Sequence, residues 1–185
     1  MHMHAFTLAL SVVWIAKTGL AKLGAPGGPQ KLTYQEPDAF QVITQYEEAV
    51  AISDSDNDTI FDCLASHRMA VNYEARTATY AWNFKEVNGP PRPEMLLKMT
   101  QGPTPGTIHM IVGNDPSVRE CKLYYADENC VVADMEYNGH QCILWIRRRL
   151  KDTVPQVCKE EFVDTCGVVI APHRRDLCDD GEGDY

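Results

Sequence analysis

Residues 130–167 read CVVADMEYNGHQCILWIRRRLKDTVPQVCKEEFVDTCG, and the way this stretch folds decides the architecture of the chain. Val131–Tyr137 and Gln141–Arg148 are two short runs of aliphatic, β-branched and aromatic residues, broken by the turn pair Asn138-Gly139. A helical segment follows. Pro155 sits in its first turn, Gly167 stands just past its end, and Val154, Cys158, Phe162 and Cys166 recur every four residues as an apolar stripe. Strand, turn, strand and helix in that order predict a helix laid against the outside of a sheet. Helix residues 158 and 166 stand about 12 Å apart at the standard rise. Two strand cysteines a similar distance apart could both be stapled to it.

Working outward, the same strand signal repeats upstream. Ala49–Ser53, Phe61–Tyr73, Thr77–Val87, Met95–Thr100, Thr107–Val112 and Val118–Tyr125 make eight candidates with the two above. Asn88-Gly89-Pro90-Pro91, Gly102-Pro103 and Asn114-Asp115-Pro116 punctuate them. Before the first strand, Pro37-Asp38-Ala39-Phe40 opens a short helix with Phe40, Ile43 and Tyr46 roughly on one face. Eight short strands in series, with no long helices between them, predict an all-β up-and-down barrel or a sandwich.

The ends of the chain carry a different message. Residues 1–21 have the pattern of a secretory signal: Ala5 to Ala16 is an uncharged run of h-region length, followed by the small-x-small series Gly19-Leu20-Ala21. His2 and His4 stand where Lys or Arg is usual, and Lys17 falls after the apolar run. Residues 22–33, with Gly24, Pro26, Gly27, Gly28 and Pro29, form an expected flexible arm, residues 34–178 the expected domain, and 179–185 an acidic disordered tail. No other stretch approaches the ~18 apolar residues of a transmembrane helix, so no membrane insertion is expected.

In a secreted chain the seven cysteines read as a disulfide framework with one thiol over. Zinc is the competing reading, but there is no C-x-x-C pair and the gaps are wide, so no metal is expected. Asn57-Asp58-Thr59 is an N-glycosylation sequon in a polar stretch. The chain holds 26 acidic against 17 basic residues, a net charge of -9. That balance argues against nucleic acid as a partner, since phosphate binding needs clustered Lys and Arg.

Catalytic signatures are missing. G-x-S-x-G, H-E-x-x-H, the P-loop and G-x-G-x-x-G do not occur, so neither an enzyme nor a cofactor is expected. His67, His109, His140 and His173 are scattered one per segment. Ile146-Arg147-Arg148-Arg149-Leu150-Lys151, the one basic run, is expected to be a solvated strand edge that discourages pairing, rather than an anion or partner site.

Cys130-Val131-Val132, ten residues, Ile143-Leu144-Trp145, twelve residues and Cys158 together resemble the tick salivary lipocalins related to the tick histamine-binding proteins. That family has Cys-Asp and an aliphatic, then Glu-Leu-Trp or Glu-Leu-Tyr, then a cysteine. Asp38-Ala39-Phe40 near the mature N-terminus and Cys178 after Arg175-Asp176 are similar too, so the resemblance spans roughly residues 34–178. It implies an eight-stranded antiparallel lipocalin barrel with a short N-terminal helix and a C-terminal helix packed outside. It also implies the bridges Cys63–Cys178 and Cys130–Cys158. Cys142–Cys166 is the favoured third, leaving Cys121 single, although Cys121 could instead be the paired one or join two chains. A two-residue turn at Asn138-Gly139 would put Cys130 and Cys142 on opposite faces. The resemblance therefore predicts a three-residue loop or a bulge there.

The departure from the family pattern bears on the ligand. Where amine-binding members carry Asp and Glu, this chain has Val131 and Ile143. A cationic amine in a low-dielectric cavity needs a carboxylate partner. The apolar replacements favour a small hydrophobic ligand, a sterol such as cholesterol or another lipid. Tyr80, Trp82 and Phe84 share one strand face and, with Met110, Val131, Ile143 and Trp145, are the expected cavity wall. Met95, Leu97, Met99, Ile108 and Val112 add adaptable apolar surface. The same residues would equally serve as plain core.

Within the family the japanin-like immunomodulatory branch is most similar. The resemblance lies in Asp38-Ala39-Phe40, Thr77-Ala78-Thr79-Tyr80 and Gln141-Cys142-Ile143-Leu144-Trp145. It implies a secreted, extracellular protein that binds a sterol and acts on host immune cells, suppressing dendritic-cell maturation and cytokine responses. The alternatives are a scavenger of a host mediator (a biogenic amine, or a lipid such as a leukotriene) and a protein-binding inhibitor such as a complement antagonist.

Overall fold

The computed structural model describes residues 36–55, 60–61, 63–84, 94–167 and 178. The expected leader, the arm, the acidic tail and the Asn57 sequon lie outside the described residues. Helix α1 spans Ala39–Thr44, with Asp38 as its N-cap accepting a 2.9 Å hydrogen bond from the Gln41 N–H. Eight strands follow: β1 Glu48–Asp54, β2 Leu64–Asn72, β3 Thr77–Phe84, β4 Met95–Gln101, β5 Thr107–Val112, β6 Arg119–Ala126, β7 Cys130–Glu136 and β8 His140–Arg147. A short 3-10 turn, Arg148–Leu150, leads to helix α2, Gln156–Cys166.

Each strand pairs antiparallel with the next, and β8 pairs back onto β1, closing a barrel in the order β1 to β8. Closure removes every sheet edge. The reading of Ile146–Lys151 as a protective strand edge is therefore wrong. Arg147 instead donates from Nε to the Glu128 carbonyl and from Nη1 to the Gln45 carbonyl at 3.0 Å, and its guanidinium lies 4.5 Å from the Tyr46 ring centre. It ties β8 to the β6–β7 turn and to the chain leaving α1.

β2 begins later than expected. Cys63 has a positive φ of 54° and Leu64 N–H bonds the Phe61 carbonyl at 3.1 Å, so residues before Leu64 form a turn. Phe61 is nevertheless buried and belongs to the barrel core.

Alternation along the strands builds two hydrophobic layers. Ala49 and Ala51, Tyr80, Trp82 and Phe84, Val131, Ala133 and Met135, and Ile143 face inward. Val50 and Ile52, Cys130 and Val132, and Cys142, Leu144 and Ile146 face outward, where Cys158, Phe162 and Cys166 of α2 cover them. Hence β1, β7 and β8 lack a polar face, while β4 alternates exposed residues with buried or half-buried ones. Pro155 is the N-cap of α2 and Gly167, with φ of 87°, ends it.

Three disulfides close: Cys63–Cys178, Cys130–Cys158 and Cys142–Cys166. Glu136 pairs with His140, leaving the three-residue loop Tyr137-Asn138-Gly139. Asn138 and Gly139 both adopt positive φ there. With that loop length Cys142 lies opposite Asp134, on the same outer face as Cys130, and both cysteines reach α2. Cys121 is free and buried with its side chain in the inner layer, so it is sealed away from a second chain.

Candidate ligand-binding cavity

The barrel interior is not completely filled. Inward positions on β1, β2, β6 and β7 carry the small side chains Ala49, Ser66, Cys121 and Ala133, and the space they leave is a cavity. An eight-stranded barrel is just wide enough for its side chains to fill it or to hold one small ligand, so small residues at a few inward positions decide which. Its remaining walls are Tyr80 and Trp82 of β3, Met99 of β4, Ile108 and Met110 of β5, Leu123, Val131, Met135 and Trp145. Ile43 of α1 and Tyr46 just after it close one end. Space free of atoms amounts to about 600 Å³ with the opening to solvent included, and the part that the centre of a water molecule can reach is about 80 Å³.

The α1 end is fixed by hydrogen bonds. The Tyr80 hydroxyl lies 2.7 Å from the Ile43 carbonyl and 3.0 Å from the Tyr46 carbonyl, and the Tyr46 hydroxyl donates to the Asp127 carbonyl at 2.6 Å. Ala39 N–H bonds the Pro105 carbonyl at 2.7 Å, seating α1 on the β4–β5 loop. Burial pushes the Tyr80 hydroxyl up to about 12, and the Tyr46 hydroxyl also rises, chiefly by burial and then by the Asp127 charge. Neither ionises at neutral pH.

Aromatic rings close the other end. Trp82 and Trp145 stack with centres 6.0 Å apart and planes at 26°. Phe61 meets Trp82 edge-on at 5.6 Å, and Tyr137 lies 5.8 Å from Phe61. Such contacts add about 0.5–1.5 kcal/mol per pair beyond area burial.

Of the expected wall residues, Tyr80, Trp82, Met110, Val131 and Trp145 line the cavity, whereas Phe84 and Ile143 do not. Both face inward, but each stands one inward step beyond its indole, Phe84 past Trp82 and Ile143 past Trp145, toward the β7–β8 loop. Ile143 pairs with Asp54, a buried carboxylate on β1 at that same end, whose Oδ1 accepts from Ser55 N–H at 2.6 Å. Ser66, Cys121, Ala49 and Ala133 escaped the sequence reading, although the alternation Cys121, Leu123 against Lys122, Tyr124 carries the signal for one of them.

No lining residue carries a charge at neutral pH. Burial, and then the charges of Asp134 and Glu120, hold the Cys121 thiol at about 12, so it is a small apolar wall element rather than a nucleophile. A metal site fares no better. Asp127, Cys130 and Cys158 gather three donor-type atoms, but both sulfurs are spent in a disulfide, and Asp127 Oδ1 accepts from the Asn129 and Cys130 N–H groups. Outside the barrel, His140 Nδ1 lies 2.9 Å from Asp134 Oδ2 and His67 Nδ1 lies 3.0 Å from Asn83. Among the described residues no helix is long and apolar enough to cross a membrane.

A barrel closed at one end by a short helix, stapled outside to a second helix and enclosing an uncharged cavity is the plan of a small-ligand carrier. The family model described as "Tick histamine binding protein" matches residues 30–176. The chain belongs to the tick histamine-binding protein family. The chain is similar to the solved structure of japanin from Rhipicephalus appendiculatus bound to cholesterol, with a TM-score of 0.53 over 74% of this chain and 95% of that one. Identity across that match is 10%, so the likeness establishes the lipocalin fold. No curated protein matches the sequence significantly. The three disulfides of this family member fit an oxidising compartment.

Proposed function

We propose that this protein is a secreted salivary carrier of a neutral, largely apolar small molecule, a sterol before other lipids, and that it acts on host immune cells. The observation that carries this reading is the cavity: every lining side chain is uncharged, and Val131, one of the two family positions for amine carboxylates, is part of that wall. An ionised amine or fatty acid placed there would lose its hydration without gaining a counter-charge, at a cost of several kcal/mol. An uncharged ring system loses nothing comparable and gains about 25 cal/mol for each Å² of apolar surface buried. The present space is tight for a sterol. Met99, Met110 and Met135 supply the give, since each has three rotatable bonds to re-pack around a guest.

Cholesterol in the japanin barrel supports the sterol class. The immune part of the proposal, suppression of dendritic-cell maturation and of inflammatory cytokines, rests on the sequence resemblance at Asp38–Phe40, Thr77–Tyr80 and Gln141–Trp145. The experiment is to secrete the protein from eukaryotic cells, extract it and identify the co-purified small molecule by mass spectrometry. Loaded and stripped protein are then applied to maturing dendritic cells. Recovered sterol and blunted maturation are expected. Submicromolar histamine binding with no lipid recovered would overturn the reading.

A further inference from the structure

The cavity contains one hydroxyl with nothing to bond. Ser66 is 7% exposed and lines the cavity from β2, level with Trp82 on one neighbouring strand and Ala49 on the other. The other two hydroxyls in the lining, those of Tyr46 and Tyr80, are both committed to backbone carbonyls at the α1 end. No described group bonds the Ser66 hydroxyl, while its backbone is held in the β1–β2–β3 ladder.

The Ser66 hydroxyl is not one of the sealed polar atoms of the interior; it borders the cavity, so its hydrogen bond is left for whatever occupies that space. Alanine at this position would fill the same space but offer a guest no hydrogen-bonding group. We propose that Ser66 is the polar anchor of the cavity and selects a neutral ligand with one hydrogen-bonding oxygen at one end of an apolar body. The oxygen lies against β2 at the level of Trp82, and the apolar remainder extends toward Ile43 and Tyr46 under α1. This inference rests on the carrier reading and sharpens it, because it separates an alcohol or ketone from the equivalent hydrocarbon.

The test compares cholesterol with cholest-5-ene, the same rings and tail without the 3-oxygen. Each is delivered from cyclodextrin to the full disulfide-intact protein, wild type and Ser66→Ala, with intrinsic tryptophan fluorescence as the signal. Wild type is expected to prefer cholesterol, and Ser66→Ala to weaken cholesterol binding about tenfold while leaving cholest-5-ene unchanged, the size of one hydrogen bond. Unfolding of the ligand-free proteins is the second measurement. Ser66→Ala should be as stable as wild type or more so, the opposite of what loss of a structural hydrogen bond gives. Equal cholesterol affinity in the two proteins, with both sterols bound, removes the anchor and leaves the carrier standing. Failure of wild type to bind either sterol removes the carrier reading and the anchor with it.

Discussion

Val131→Asp puts back the acidic side chain that the family pattern has at this position, and it measures how dry the cavity is. Val131 is 6% exposed, opposite Trp145 on β8 and Ala126 on β6, among walls without a cation. A carboxyl there is pushed up from about 3.9 by burial, and a rise of about 3 units, to near 7, is the low end for a fully buried acid. At about 1.36 kcal/mol per unit, ionisation then costs about 4 kcal/mol of stability. An acid whose folded pKa is raised loses nothing below its unfolded value. The loss grows as pH climbs from about 4 and levels off near 7. A further ~1–3 kcal/mol, present at every pH, comes from burying the neutral carboxyl. Guanidinium unfolding from pH 3.5 to 8 without reductant reads both parts. The variant should sit about 1–3 kcal/mol below wild type at pH 4 and fall away steeply by pH 7, and added histamine should recover part of the loss. A penalty under about 1 kcal/mol with no pH dependence would show that bulk water reaches Val131, and the case for an uncharged ligand would collapse.

Four further outcomes are expected. Replacing Cys63 and Cys178 by alanine opens a link spanning 115 residues and should cost about 4–5 kcal/mol in unfolding experiments, against about 3–4 kcal/mol for Cys142 and Cys166, which span 24. Native Cys121 should resist iodoacetamide at pH 8 and label fully in guanidinium, as mass spectrometry would read. Fast labelling of the folded protein would place the thiol at the surface. Trp145→Phe should remove much of the fluorescence response to a bound guest, because this indole both lines the cavity and stacks on Trp82. Asp38→Ala should cost about 1 kcal/mol by uncapping α1. The Gln41 N–H, and then Arg76, hold the Asp38 carboxyl below its usual range, so wild type keeps this advantage above pH 4 and loses it as pH falls through the lowered value.

Strand positions were legible because turn residues and alternation mark them locally. Closure was not local: the β1–β8 pairing joins residues about a hundred positions apart, and only the family resemblance supplied it. The misreading of Arg147 followed from that, since an edge and a seam look alike in sequence. Parity along a strand tells which face a residue takes but not whether it borders the open space, which is why Phe84 and Ile143 were placed in the wall together with Trp82 and Trp145. The cavity itself is written in small residues. Large aromatics were the natural candidates for a pocket, yet Ala49, Ser66, Cys121 and Ala133 make the space by what they lack.

The outer helix backs only one side of the barrel. Outward residues of β1, β7 and β8 are pinned between α2 and the inner layer, so almost any change there disturbs a packed interior. Among the described residues α2 does not reach β4: Leu96, Lys98 and Thr100 are exposed and alternate with buried Leu97 and half-buried Met95, Met99 and Gln101. Substitutions on that flank leave the pocket and the staples untouched. Sequence change is therefore tolerated on the outer face of β4 and resisted beneath α2.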